Sequence, residues 1–139
     1  MESVKGKNIL LIGATGSIGA AVAKLLAGSS ANLFLTGRNT EKLNQVADAY
    51  NVPLERVFAL DISKPESVQQ LKEAYFKQFT SIDILINAAG IGIIKPVEQL
   101  TDQDFLQSVN CNLFGSFLLV KNFLPAMKEV KKGLIINIP

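Results

Sequence analysis

The sequence predicts an α/β fold: one domain over residues 1–139, with a parallel sheet of about five strands covered by helices on both faces. Three observations predict it. Short apolar runs alternate with longer segments of helical period, the pattern of repeated strand–helix units. The first run ends in a cluster of glycines, from which a helical pattern starts at once. A chain of 139 residues holds one hydrophobic core but not two, and its 48% hydrophobic and 19% charged residues place it far from disordered compositions.

The strands are read at 8–12, 32–36, 56–60, 82–87 and 134–138, and the helices at 17–27, 40–50, 65–79 and 102–130. Pro65 suits the first turn of its helix, where a missing N–H costs nothing, and Thr101 with Asp104 approximates a capping box. Parallel neighbours need crossover connections, which are right-handed almost without exception, so the expected strand order is 3-2-1-4-5. Residues 90–100 form a longer loop than the other connections, and such loops often carry function. The last helix is apolar nearly all round from 113 to 120, so something should cover its outer side: the core between sheet and helices, or an oligomer contact.

Composition removes several function classes. A net charge of +2 from 14 basic and 12 acidic residues spread along the chain leaves no basic stripe for nucleic acid. Cys111 is the single cysteine and there is no histidine, which excludes an internal disulfide and the usual zinc ligand sets, so no metal site is expected. Lys5 and Lys7 ahead of Ile9–Ile12 faintly resemble a signal peptide, but Gly13, Thr15 and Gly16 interrupt the run. No stretch approaches the ~18 apolar residues of a membrane helix, and a cytoplasmic location is expected.

The chemistry starts in Gly13-Ala14-Thr15-Gly16-Ser17-Ile18-Gly19, at the turn from first strand to first helix. Gly13 allows a backbone conformation closed to other residues, Gly16 lets the main chain approach a pyrophosphate, and Gly19 lets helix and strand pack closely. Free N–H groups around Ser17 and Ile18 lie at the positive end of the helix dipole, and the hydroxyls of Thr15 and Ser17 add contacts. No Gly-Lys-Ser/Thr follows, which excludes a P-loop. Such turns also occur wherever a strand must reverse tightly into a helix, but placed after the first strand of a βαβ unit this one fits the fingerprint of a Rossmann-type, doubly wound dinucleotide-binding sheet.

The end of the second strand reads Thr36-Gly37-Arg38-Asn39. A carboxylate there would hold the ribose 2′-hydroxyl of NAD, whereas Arg38 offers paired planar donors to the 2′-phosphate of NADP. By itself Arg38 reads as a solvated surface arginine; together with the glycine turn, NADP(H) is expected over NAD(H), with Lys42 a candidate second positive charge.

Three further segments extend the pattern: Leu60-Asp61-Ile62, Asn87-Ala88-Ala89-Gly90 and Asn112-Leu113-Phe114-Gly115. With the glycine turn they resemble the short-chain dehydrogenase/reductase family, in order and over essentially the whole chain. The resemblance implies that Asp61 accepts a hydrogen bond from the adenine amino group while Ile62 packs beside the ring. It implies that Ala88 and Gly90 line the cofactor's ribose, and that Asn87 ties the central strands together. Asn112 matches the helix Asn that holds a water in the family's proton relay. The plain alternatives are a cap of the next helix for Asp61, a turn for 87–90, and a polar side chain at a local helix distortion for Asn112. Glycines at 13, 16 and 19, with Ser17 in place of a glycine, follow the epimerase-like spacing, but the other segments match the reductase branch.

The family's Tyr-x-x-x-Lys has no counterpart: Tyr50 and Tyr75 are followed four residues on by Leu54 and Phe79. The family's Ser would come after strand five, where the sequence stops at Pro139. The resemblance thus implies a carbonyl/alcohol oxidoreductase acting by hydride transfer, catalytically incomplete in these residues and truncated relative to the family. Its partners would be the dinucleotide and, if the remainder is supplied, a small carbonyl or alcohol. A non-catalytic NADP-binding module and an inactive structural fragment are the alternatives. Self-association through the edge of strand five is expected, since unpaired N–H and C=O groups there favour it. Ile91, Ile93 and Ile94 are expected to form an apolar wall on the substrate side.

Overall fold

The computed structural model describes residues 2–139. Five parallel strands, β1 (Asn8–Ile12), β2 (Asn32–Gly37), β3 (Val57–Ala59), β4 (Ile84–Asn87) and β5 (Leu134–Asn137), form one sheet in the order β3-β2-β1-β4-β5. Leu11 lies opposite Leu35 on one side and Ile86 on the other, and Ile86 in turn pairs with Ile136. The Rossmann-type sheet and its strand order match the expectation.

Alternation along the strands sends side chains to two cores. Leu10, Ile12 and Phe34 pack with α3 (Pro65–Gln78) and α5 (Gly115–Glu129) through Val68, Leu71, Tyr75, Leu119 and Phe123. Ile9, Leu11, Leu33 and Leu35 pack with α1 (Ser17–Ala27) and α2 (Thr40–Ala49) through Ala23, Leu26, Leu43 and Ala47. Burial on both faces explains why these strands read as continuous apolar runs.

Several boundaries differ from the expectation. β3 is shorter because Leu54–Arg56 forms a 3-10 turn before it. β4 begins at Ile84, two residues later than expected, while β2 runs one residue further to Gly37. The expected helix 102–130 is three pieces: α4 (Asp102–Val109), a π-helical turn (Asn110–Phe114) and α5. Thr101 and Asp104 do form a reciprocal capping box on α4, and Pro65 does sit in the first turn of α3.

The core covers only one side of this segment. Leu118 and Leu119 are buried, but Leu113 and Phe117 are 69% and 56% exposed, with Phe117 stacked on Phe114. No helix among the described residues is long and apolar enough to cross a membrane.

Candidate functional site

Strand order reverses between β1 and β4, where neighbouring connections leave in opposite directions and a crevice opens beyond the carboxyl ends of the strands. The crevice is a cleft of about 120 Å³. Its walls come from the turn after β1, the end of β2 at Thr36 to Arg38, Leu60 and Ile62 beyond β3, the segment Ala88 to Ile91 after β4, and Cys111 in the π-turn.

The turn after β1 is hung on β2: the N–H groups of Gly13 and Ala14 both donate to the Thr36 carbonyl, at 3.1 and 2.8 Å. Gly13 has φ +83°, and a Cβ on it would lie 2.8 Å from the Ala89 nitrogen. A Cβ on Gly19 would lie 1.8 Å from the Gly13 carbonyl oxygen, so only glycine lets α1 start this close to β1. Gly16 is exposed and would meet nothing nearer than 3.6 Å; its open side faces the cleft. As N-cap of α1 it has no side chain to cover the first N–H groups of the helix. Thr15 lines the cleft and packs against Gly37, whereas Ser17 and Ile18 are exposed at the helix start, outside the cleft wall.

Arg38 is exposed at the meeting of this cleft with a second groove of about 730 Å³ that runs toward α4. It makes no ion pair among the described residues. Asp61 lines that second groove. Its Oδ1 accepts from the Ser63 hydroxyl at 2.6 Å and the Ser63 N–H at 3.1 Å, and Lys64 stands 3.8 Å away. The Ser63 hydroxyl bond, helped by the Ser63 N–H and the positive charges of Lys64 and Arg38, holds the carboxyl below its ordinary pKa against partial burial. Asp61 thus shapes the turn into α3 without capping it, since Lys64 is the N-cap. Ile62 is buried and shared by both clefts. Lys42 lines neither; its N–H donates to the Asn39 cap of α2.

Asn87 lies behind the cleft rather than on its wall. Its Nδ2 donates to the Ser116 hydroxyl at 2.9 Å and to Asn137 Oδ1 at 3.3 Å, which links β4 to α5 and β5. Its Oδ1 accepts from the Ala89 N–H at 3.2 Å and bends the chain so that Ala88 and Gly90 reach the cleft. Asn112 also works through the backbone: Nδ2 donates to the Ile91 carbonyl and Oδ1 accepts from its N–H. Ser116 donates to the Asn112 carbonyl at 2.8 Å, so the π-turn, Ser116 and Asn87 form one chain of hydrogen bonds. The extra residue of a π-turn re-aims side chains inside a helix, and such turns are frequent at functional sites.

Neither tyrosine reaches the cleft. Tyr75 is buried in the core, its hydroxyl donating to the Ser81 carbonyl ahead of β4, and burial pushes its pKa up. Tyr50 borders a separate recess beside Asn51 and Arg56. Of the residues expected in an apolar wall, Ile91 lines the cleft, Ile93 is half-buried and Ile94 is 99% exposed.

The residues present fit a dinucleotide: a Gly16 without a side chain faces the cleft, a free guanidinium stands at its rim, and the fully buried Thr36 hydroxyl on its wall has no hydrogen-bond partner among the described residues. The model of the short chain dehydrogenase family matches residues 7–139. The chain belongs to this family.

Among its relatives, a fatty acyl-CoA reductase of Acinetobacter baylyi is 36% identical over 99% of this chain and 48% of its own length. A D-threitol dehydrogenase of Mycolicibacterium smegmatis is 34% identical over 95% of this chain and 52% of its own. A solved short-chain dehydrogenase from Streptomyces avermitilis superposes with a TM-score of 0.86 at 25% identity, over 96% of this chain and 48% of its own. The chain spans about half the length of the curated relatives it matches. Sequence reasoning missed Thr36, Leu60 and Cys111 as cleft residues of this family member, and Ser116 as the link between its two asparagines. Only Ser116, four residues after Asn112 on one helical face, left a readable signal.

Proposed function

We propose that this chain binds NADP(H) in the cleft beyond β1, β2 and β4 and serves an oxidoreductase that moves a hydride between a carbonyl and an alcohol. The observation that carries the reading is Arg38, an exposed guanidinium without an ion pair among the described residues, at the end of a strand that presents no carboxylate to repel a phosphate. The amides from Gly13 to Gly19 receive the diphosphate, with Thr15 and Ser17 adding hydroxyls. Arg38 receives the 2′-phosphate. Asp61 and Ile62 take the adenine, Ala88 and Gly90 flank the ribose, and Asn87 and Asn112 position the backbone behind them.

The bound dinucleotide supplies or accepts the hydride. The chain's own residues bind and orient it, and general acid/base help, typically worth about 10² to 10⁴ in rate, comes from neither Tyr50 nor Tyr75. That placement also favours a second reading, a non-catalytic NADP-binding module acting through a partner. The relatives' names cover an acyl thioester and a polyol, so they agree on oxidoreductase chemistry and not on a substrate.

The exposed apolar strip of Leu113, Phe114 and Phe117 supports self-association of the chain, and a cytoplasmic location fits the composition. Titration of the purified chain with NADPH and NADH tests the main reading. Tighter binding of NADPH is expected, with the preference reduced or reversed in Arg38→Asp; equal affinities in both proteins would refute it.

A further inference from the structure

β5 closes one end of the sheet, with β4 on its inner side only. The N–H groups of Leu134 and Ile138 donate inward, to the carbonyls of Asp83 and Asn87 at 3.0 and 2.9 Å. In a parallel ladder successive residues alternate, so the N–H and C=O groups of Ile135 and Asn137 point outward, away from β4. Side chains alternate as well. Leu134 and Ile136 pair with Ile84 and Ile86, on the sheet face where α1 packs on β1 and α2 on β2 and β3. At β5 that face is open, and Leu134 and Ile136 are 50% and 38% exposed. The stretch Leu134-Ile135-Ile136-Asn137-Ile138 lacks the charges and prolines that keep an edge strand from pairing.

We propose that the outer edge of β5 is a self-complementary interface, on which β5 of a second copy of this chain pairs antiparallel about a two-fold axis at Ile136. That register sets Ile136 against its own counterpart and Leu134 opposite Ile138, while Ile135 and Asn137 exchange hydrogen bonds through their outward N–H and C=O groups. Charge selects the direction. Lys131 and Lys132 lie just ahead of β5. Antiparallel pairing keeps the lysines of the two copies about eight residues, ~27 Å, apart, well beyond the ~8 Å screening length, whereas a parallel copy would set them side by side. A single strand pair stays below the ~1,200 Å² of stable complexes, so the association is weak and depends on concentration. α5 carries the Leu113 and Phe117 strip on the opposite face of the sheet, so this contact does not use it.

The experiment places cysteines in the full chain by Ile136→Cys, Leu134→Cys or Ile138→Cys and reads disulfide-linked dimer after mild oxidation. The parent, whose only cysteine is the buried Cys111, is the control. Residues directly opposite in a non-hydrogen-bonded antiparallel pair have Cα atoms about 4.5 Å apart, within reach of a disulfide. Ile136→Cys is therefore expected to link with itself, and Leu134→Cys to link with Ile138→Cys when the two are mixed. Leu134→Cys by itself should give about tenfold less dimer, since its counterpart lies four residues away, ~13 Å. In the unmodified chain, hydrogen exchange at the Ile135 and Asn137 amides is expected to slow as protein concentration rises. Equal linking at 134 and 136, as stacked sheet faces would give, or exchange at both amides that ignores concentration, would each overturn the proposal. So would a folded Ile136→Cys protein that stays unlinked, which would leave the edge to a strand of a different polypeptide.

Discussion

The side chain of Asn112 pairs both of its polar ends with the backbone of Ile91, Nδ2 donating to the carbonyl at 2.8 Å and Oδ1 accepting from the N–H at 2.9 Å. A π-turn in the helix thereby fastens the chain that leaves β4, and with it the Ala88 to Ile91 wall of the cleft. Replacing Asn112 by Ala removes both bonds. The expected loss is about 1 to 2 kcal/mol, read as a lower urea midpoint and faster hydrogen exchange at the Ile91 amide. Unchanged exchange there would mean that the loop is held by other contacts.

Gly19 and Gly16 separate packing from binding. A methyl group on Gly19 meets the Gly13 carbonyl at 1.8 Å, so Gly19→Ala is expected to destabilise the chain by more than about 3 kcal/mol or to prevent folding. Gly16→Ala meets nothing closer than 3.6 Å and should fold with a Tm close to the parent's while binding NADPH more weakly. A Gly16→Ala protein with full affinity would show that the diphosphate does not approach this residue.

Asp61 sets an acid limit. Its folded-state pKa is lowered from the ordinary 3.8, first by the Ser63 hydroxyl. A depressed carboxyl contributes stability that is present above the unfolded pKa and is lost as the pH falls through the folded value. Denaturant midpoints measured from pH 5 downward should therefore fall more steeply below about pH 4 for the parent than for Asp61→Asn. Parallel curves would remove Asp61 from the account of acid stability.

Leu113 and Phe117 expose apolar surface on one side of α5 and the π-turn. Replacing both by Glu is expected to lower the mass seen by light scattering toward the monomer without a large change in Tm, since neither side chain is in the core. A parent chain that stays monomeric at every concentration would leave this strip without a role in self-association.

Much of this architecture was legible because local and global signals agree. The run from Asn8 and the glycine turn place β1 and α1 at their observed bounds, since a strand buried on both faces and an uncapped glycine start are visible in the residues themselves. The break at Asn110–Phe114 was not, because an apolar pattern that continues around the helix conceals one inserted residue. Asn112 and Gly115 mark the place, where the structure has a π-turn. The glycines and Arg38 could be read from their places at strand ends, and Asp61 and Ala88 through the family resemblance of their segments. Thr36 and Cys111 reach the cleft through pairing and packing between distant segments, which no single stretch of sequence encodes.

The central claim is that the amides after β1 and the guanidinium after β2 receive one dinucleotide. Two-dimensional amide NMR of the labelled chain during addition of NADP⁺ tests it most directly. The account predicts the largest shifts at Gly16, Ser17, Ile18 and Arg38, with the outer strip of Leu113 and Phe117 unmoved. Shifts concentrated elsewhere, or none at saturating coenzyme, would contradict it.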